Sequence, residues 1–233
     1  MQLVLGYVVL EVFMSELTYQ ATQDYLLSLV PPREQEMQKM EAYAEKHNFP
    51  ILSPVCGYYC YQLARMIGAR SVFELGSGYG YSTAWFLKAV KEACAEQGRS
   101  GGGGVVHHTV WDAVLSNMAR EHLSALGFAD LVQFHVAEAV GALRKQKGLF
   151  DIIFNDIEKK AYPASLPVIK EKLRPGGLLI IDNMLWSGRV FDNKDISPAT
   201  EGVREFTRQI IADKDWIVSL APVHDGMIIA YKK

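Results

Sequence analysis

The chain has 233 residues, with 24 Lys and Arg against 26 Asp and Glu, 49% hydrophobic and 21% charged. That length suits one large α/β domain or two very small ones, and the composition excludes disorder as the main state. A formal charge of −2 excludes nucleic-acid binding driven by bulk phosphate neutralisation.

Three cysteines, Cys56, Cys60 and Cys94, form no CxxC pair. They read as free thiols and small core hydrophobes in a reducing compartment. The opening MQLVLGYVVLEVFM carries no Lys or Arg, contains Glu11 and lacks a small-residue cleavage pattern. It is no secretory signal, and it is too short to span a bilayer. Met14 then opens an ordinary polar stretch, so residues 1–13 are expected to be a misassigned start and the protein cytoplasmic.

Helical spacing runs over 22–47, through Tyr25, Leu26, Leu29, Met37, Met40 and Tyr43, with Pro31-Pro32 breaking it in two. A loop over 50–54 precedes a helix over 56–67 ending at Gly68. Residues 1–49 form a helical flank, and 50–233 the main domain. There strand and helix alternate: strand Ser71–Leu75, helix 82–96, a glycine-rich surface loop 101–104, strand 105–111, helix 114–126. Strand 131–136, helix Ala139–Lys145, strand Phe150–Asn155 and helix 164–173 follow. Pro175-Gly176-Gly177 leads into strand 178–181. After a helix over 200–211, strands Trp216–Ala221 and 227–231 are joined by Val223-His224-Asp225-Gly226. Alternating units imply a doubly wound, mostly parallel seven-stranded α/β sheet covered on both faces, closed by an antiparallel hairpin.

Glu74-Leu-Gly-Ser-Gly-Tyr-Gly-Tyr-Ser82 lies at the carboxyl end of the first strand, where open α/β sheets bind ligands. It fails as a dinucleotide fingerprint, because the third glycine would fall at Tyr81. Glu74 would repel a pyrophosphate and suits a ligand with a cationic amino-acid end, such as S-adenosylmethionine. Asp156, in FNDIEKKAY, and Asp182-Asn183, in DNMLWSGRV, follow two later strands at the same edge. These oxygen donors suit a hard cation such as Mg²⁺ or Ca²⁺. No histidine is a metal candidate: His107 and His108 point to opposite strand faces, and His47, His122 and His135 show no partner spacing.

Together, the ELGSGYGYS, FNDIEKKAY, DNMLWSGRV and PVHDG segments resemble the cation-dependent, S-adenosylmethionine-dependent O-methyltransferases of the caffeoyl-CoA and catechol type. The resemblance covers about 50–233 and implies a class I methyltransferase, Rossmann-like fold. It implies that Glu74, Gly76, Ser77, Ser82 and Ala139 contact the cofactor, with Asp156 at its edge. It also implies that Asp156, Asp182 and Asn183 hold Mg²⁺ (or Mn²⁺ or Ca²⁺), that Lys159 deprotonates the acceptor with Asp156 beside it, and that Trp186 borders the acceptor pocket. The implied partner is a small hydroxylated aromatic, methylated within a homodimer; no membrane is involved, and the near-neutral charge disfavours nucleic acid without excluding it. A phenol of pKa about 10 is mostly neutral at pH 7, so a cation that lowers that pKa, a nearby base and alignment with the methyl donor all serve the reaction.

Two departures stand out. The acid that in the family bonds the ribose should fall at Val110, leaving Asp112 as the nearest carboxylate, and Glu158 stands where Asp is usual. Methylation of a hydroxylated tRNA base, or cofactor binding without catalysis, are the alternative functions. An NAD-dependent oxidoreductase is opposed by the failed fingerprint and Glu74.

Overall fold

The computed structural model describes residues 18–96 and 103–233. The expected misassigned start and the loop glycines Gly101 and Gly102 lie outside the described residues. The chain divides into two compact units, one ending at Arg33 and the other Glu34–Lys233. The first contributes a helix over 18–28 (α1).

The second unit opens with α2 (Gln35–His47) and α3 (Pro54–Met66). Ser53 caps α3 through its side chain, and Pro54 occupies the first turn, where a missing N–H costs nothing. β1 (Ser71–Leu75), α4 (Tyr81–Glu96), β2 (Val105–Val110), α5 (Ala113–Ala125), β3 (Val132–Val136), α6 (Ala139–Lys145) and β4 (Phe150–Asn155) follow. α7 (Tyr162–Lys172), β5 (Leu173–Ile181), α8 (Pro198–Ala212), β6 (Trp216–Ala221) and β7 (Met227–Lys232) complete the order.

All seven strands join one sheet in the order β3-β2-β1-β4-β5-β7-β6. β1 to β5 run parallel, while β7 lies antiparallel between β5 and β6. The hairpin therefore inserts its second strand beside β5 and leaves β6 at the edge. The order reverses between β1 and β4, which makes their carboxyl ends the expected ligand crevice. One face is sealed by α6, α7 and α8, through Leu143, Ile169, Val203 and Phe206 packed on Phe73, Leu75, Ile153 and Leu179. Burial of each such side chain contributes roughly 1.5–3 kcal/mol. α4 and α5 pack on β2. Glu74, which alternates with Phe73 and Leu75, meets Thr83 of α4.

Three expectations are corrected. The helix expected over 164–173 starts at Tyr162 and stops at Lys172, because Leu173 already pairs with Phe150. The register then shifts to Ile152 with Leu178, so residues 174–177 bulge from the strand. The Asp151 carboxylate draws in Arg174 Nε (2.5 Å) and the backbone N–H groups of Arg70 (2.8 Å) and Ser71 (2.9 Å), and Gly176 turns at φ +72°. Gly104 is a packing glycine and no part of a loose loop, since a Cβ there would lie 2.3 Å from Val90 Cγ1. His135 does have a partner. Its ring stacks on His107, with Nε2 2.9 Å from His107 Nδ1. Sequence spacing hid this because the pairing runs between neighbouring strands.

Candidate active site

The β1 strand delivers Glu74 into the interior, fully buried. Thr83 Oγ1 donates to Glu74 Oε2 (2.5 Å), whereas Oε1 has no hydrogen-bond partner. Burial pushes this carboxyl up to about 7, against the pull of the nearby Ser82, Thr83 and Ser77 hydroxyls. Gly76 follows at φ +86°, and a Cβ there would sit 2.5 Å from the Asp156 carbonyl oxygen. Only glycine allows both that backbone conformation and that contact. Asp156 N–H in turn donates to Leu75 O (2.9 Å). The glycine turn and the acidic segment, 80 residues apart in sequence, thus touch backbone to backbone.

Ser77 is locked to β2: its N–H donates to Thr109 O and its Oγ accepts from Thr109 N, each at 2.9 Å. Gly76, Ser77, Ser82 and Asp156 line one cleft with the 49–52 loop.

Asp182 closes β5 and is buried. Burial and repulsion from Asp156 push its carboxyl up to about 7. Its Oδ1 has no hydrogen-bond partner. Burial also raises Asp156, partly offset by Lys159, whose Nζ lies 2.6 Å from Asp156 Oδ1. Asn183 adopts φ +58° and donates from Nδ2 to Asp225 Oδ2 (3.3 Å). Asp225 also accepts from Ser187 N (2.6 Å), and its carbonyl from Leu185 N (2.8 Å). This residue lies in the PVHDG turn, part of the recognised pattern, yet it had been given no role. Tyr162, likewise unassigned, is fully buried and donates to Asp182 O (3.1 Å). Two cations lie over the Trp186 ring, Lys159 Nζ at 5.7 Å and Arg189 Cζ at 5.6 Å from its centre.

Two carboxylates face one ammonium here, and one buried carboxylate oxygen is unpartnered. The donor set of Asp156, Asp182 and Asn183 therefore fits a hard divalent cation. Among the described residues no group of three or more His, Cys, Asp and Glu gathers for a metal.

The remaining expected residues sit along the same sheet edge. Val110 ends β2 and its carbonyl accepts from Ala137 N (3.1 Å). Asp112 caps α5, with Oδ1 accepting from Val114 N (2.6 Å) and Leu115 N (3.3 Å). Ala139 is buried at the start of α6, capped in turn by Glu138. Glu158 points outward and pairs with Lys160 (3.0 Å), so its departure from the family pattern does not reach the acidic cluster. Beside the 184–191 segment, a cavity of about 700 Å³ is lined by Met184, Phe191, Ile196, Arg204 and Leu220, among others. No helix among the described residues is long and apolar enough to cross a membrane.

A doubly wound sheet with a glycine turn and an acidic cluster at its switch point is the architecture of an α/β enzyme that binds its ligands at that edge. Residues 33–233 match the O-methyltransferase family, and the chain belongs to that family. It is 28% identical over 191 residues to a catechol O-methyltransferase of Niastella koreensis, covering 78% of this chain and 82% of that one. It is 27% identical over 229 residues to caffeoyl-CoA O-methyltransferase 1 of Eucalyptus globulus, covering 89% and 86%. The O-methyltransferase from Bacillus cereus, solved in complex with SAH, superimposes with a TM-score of 0.80 at 25% identity, over 91% of this chain and 97% of that one.

Proposed function

We propose that this chain transfers the methyl group of S-adenosylmethionine to one hydroxyl of a catechol-like small molecule, within a catalytic domain spanning 50–233. The observation that carries the reading is the backbone contact between Gly76 and Asp156, which sets a cofactor turn directly against an acidic cluster short of positive charge.

Glu74 supports the cofactor's cationic amino-acid end through its place beneath the turn, while Ser77, Ser82 and the Gly76 backbone line the cleft above it. Asp112 and Ala139 stand along the edge toward which the nucleoside would extend. Asp156, Asp182 and Asn183 would hold a divalent cation, Mg²⁺ before Mn²⁺ or Ca²⁺. When bound, that ion supplies positive charge that favours the deprotonated form of an adjacent acceptor hydroxyl. Lys159, tied to Asp156, would take the acceptor's proton when it enters the step as the neutral amine, a form that a cation held beside it would favour. Trp186 forms an apolar wall that excludes water and orients an aromatic ring. In-line alignment of acceptor and sulfonium accounts for much of the remaining acceleration.

The test is methyl transfer from S-adenosylmethionine to a panel of vicinal diphenols, with Mg²⁺ and with EDTA. Product that vanishes in EDTA is the expected result. Measurable cofactor binding without product on any diphenol would turn the assignment to a hydroxylated tRNA base or to a non-catalytic binder.

A further inference from the structure

The segment that carries Trp186 is held from behind by a single side chain on α8. All five N–H donors of the Arg204 guanidinium have acceptors. Nε donates to Val190 O (3.2 Å), and Nη1 to Asp195 O (2.7 Å) and Glu201 Oε1 (2.6 Å). Nη2 donates to Arg189 O (3.2 Å) and Asp192 O (2.6 Å). Four of the five acceptors are backbone carbonyls of one stretch, 189–195.

The turn that leads into that stretch needs an external hold. Trp186 and Ser187 both stand at φ near +50°, a conformation that side-chain-bearing residues rarely adopt. Its near end is tied by Asp225 through Ser187 N and Leu185 N. At its far end Arg189 crosses the Trp186 ring at 5.6 Å and is fixed by Asp195 (2.6 Å) and Ser197 (3.0 Å). Asp195 therefore holds Arg189 by its carboxylate while its carbonyl is held by Arg204. The order of contact runs Arg204, the 189–195 backbone, Arg189, the Trp186 ring.

We infer that Arg204 is a positioning residue for the acceptor: it clasps 189–195 and so sets the Trp186 wall of the acceptor pocket. The inference rests on the functional reading above, in which Trp186 borders that pocket. A lysine has three donors where arginine has five in a fixed planar fork, so it cannot replace the clasp.

The test uses the full-length protein with Arg204→Lys and Arg204→Gln. Amide hydrogen exchange in peptides covering 187–197 should accelerate by about tenfold in both variants, while peptides from β4 and β5 stay at wild-type rates. With a diphenol that the wild type methylates, the acceptor KM should rise by about tenfold while SAH affinity stays within about twofold. Unchanged exchange in 187–197 overturns the inference. So does exchange that accelerates equally in β4 and β5, or SAH affinity that falls in step with acceptor affinity, since either marks general loosening. If the wild type methylates no diphenol, the functional reading fails instead, and the exchange rates still decide whether Arg204 holds the segment.

Discussion

The ammonium of Lys159 stands 2.6 Å from Asp156 Oδ1 and is itself almost wholly buried. It serves one carboxylate of two, and Asp182 keeps an unpartnered oxygen. The residue proposed to handle the acceptor's proton and the proposed ligand set thus meet where the neighbouring strands β4 and β5 end. Lys159→Met should lower kcat by about 100-fold or more, the scale of a lost general base, with SAH affinity little changed. Asp156→Ala should abolish both turnover and its response to EDTA. Isothermal titration with SAH alongside initial-rate kinetics checks both variants. Turnover by Asp156→Ala that still responds to EDTA would remove that residue from the cation site.

Glu74 gives the pH dependence a sign. Its carboxyl titrates near 7 in the fold and near 4.5 when exposed. A group whose pKa rises on folding favours the folded state below its unfolded value, and that contribution is lost as pH climbs toward the folded value. The cofactor-free protein should accordingly lose stability between about pH 4.5 and 7 from this group, and Glu74→Gln should flatten that slope in thermal melts. Affinity for S-adenosylmethionine should run the other way, tightening as Glu74 ionises through about pH 7. A Kd that Glu74→Gln leaves equally pH-dependent would show that another group governs binding.

Much of this was legible in the sequence because each motif sits at a strand end, where local pattern and fold agree. The apolar run of β4 and the DN pair after β5 place Asp156, Asp182 and Asn183 at one edge with no knowledge of tertiary contacts. What escaped was set by partners distant in sequence. Asp225 reads as an ordinary turn residue until the hairpin folds back on Asn183 and Ser187. His135 lacks a helical or strand-local partner, and only the β2–β3 pairing brings it to His107. Residues 174–177 look like a plain Pro-Gly-Gly turn, and Asp151 makes them a bulge inside a strand.

Gly202 tests how tightly α8 is registered on the site. A Cβ there would lie 2.3 Å from Lys159 O, 2.8 Å from Lys160 Cα and 2.9 Å from Lys159 C, all backbone atoms that cannot rotate away. Gly→Ala in a helix interior ordinarily gains up to about 1 kcal/mol. Overpacking against fixed atoms costs about 1–3 kcal/mol, so the net effect of Gly202→Ala should be destabilising. Because two of the three displaced atoms belong to Lys159, kcat should fall further than SAH affinity. A melting temperature and kcat both at wild-type values would show that α8 shifts freely.

Val110 stands where the family resemblance implies a ribose-binding acid, and the structure sharpens the consequence. The nearest carboxylate, Asp112, already accepts two N–H groups as the cap of α5, and Glu138 does the same for α6. Turning either toward a ribose would release a helix end, at a cost of about 1 kcal/mol. Val110 itself sits half-exposed at the end of β2, with its backbone tied to Ala137 and its side chain free of any polar task. Val110→Glu should therefore add an acceptor without breaking a cap. A hydrogen bond to a charged group contributes about 1.5–3 kcal/mol, so SAH affinity should rise about tenfold or more. The gain should be absent for methionine alone, which has no ribose. Affinity that stays at the wild-type value would mean that Asp112 reaches the ribose while still capping α5, and Asp112→Asn would then weaken SAH binding in the wild-type background.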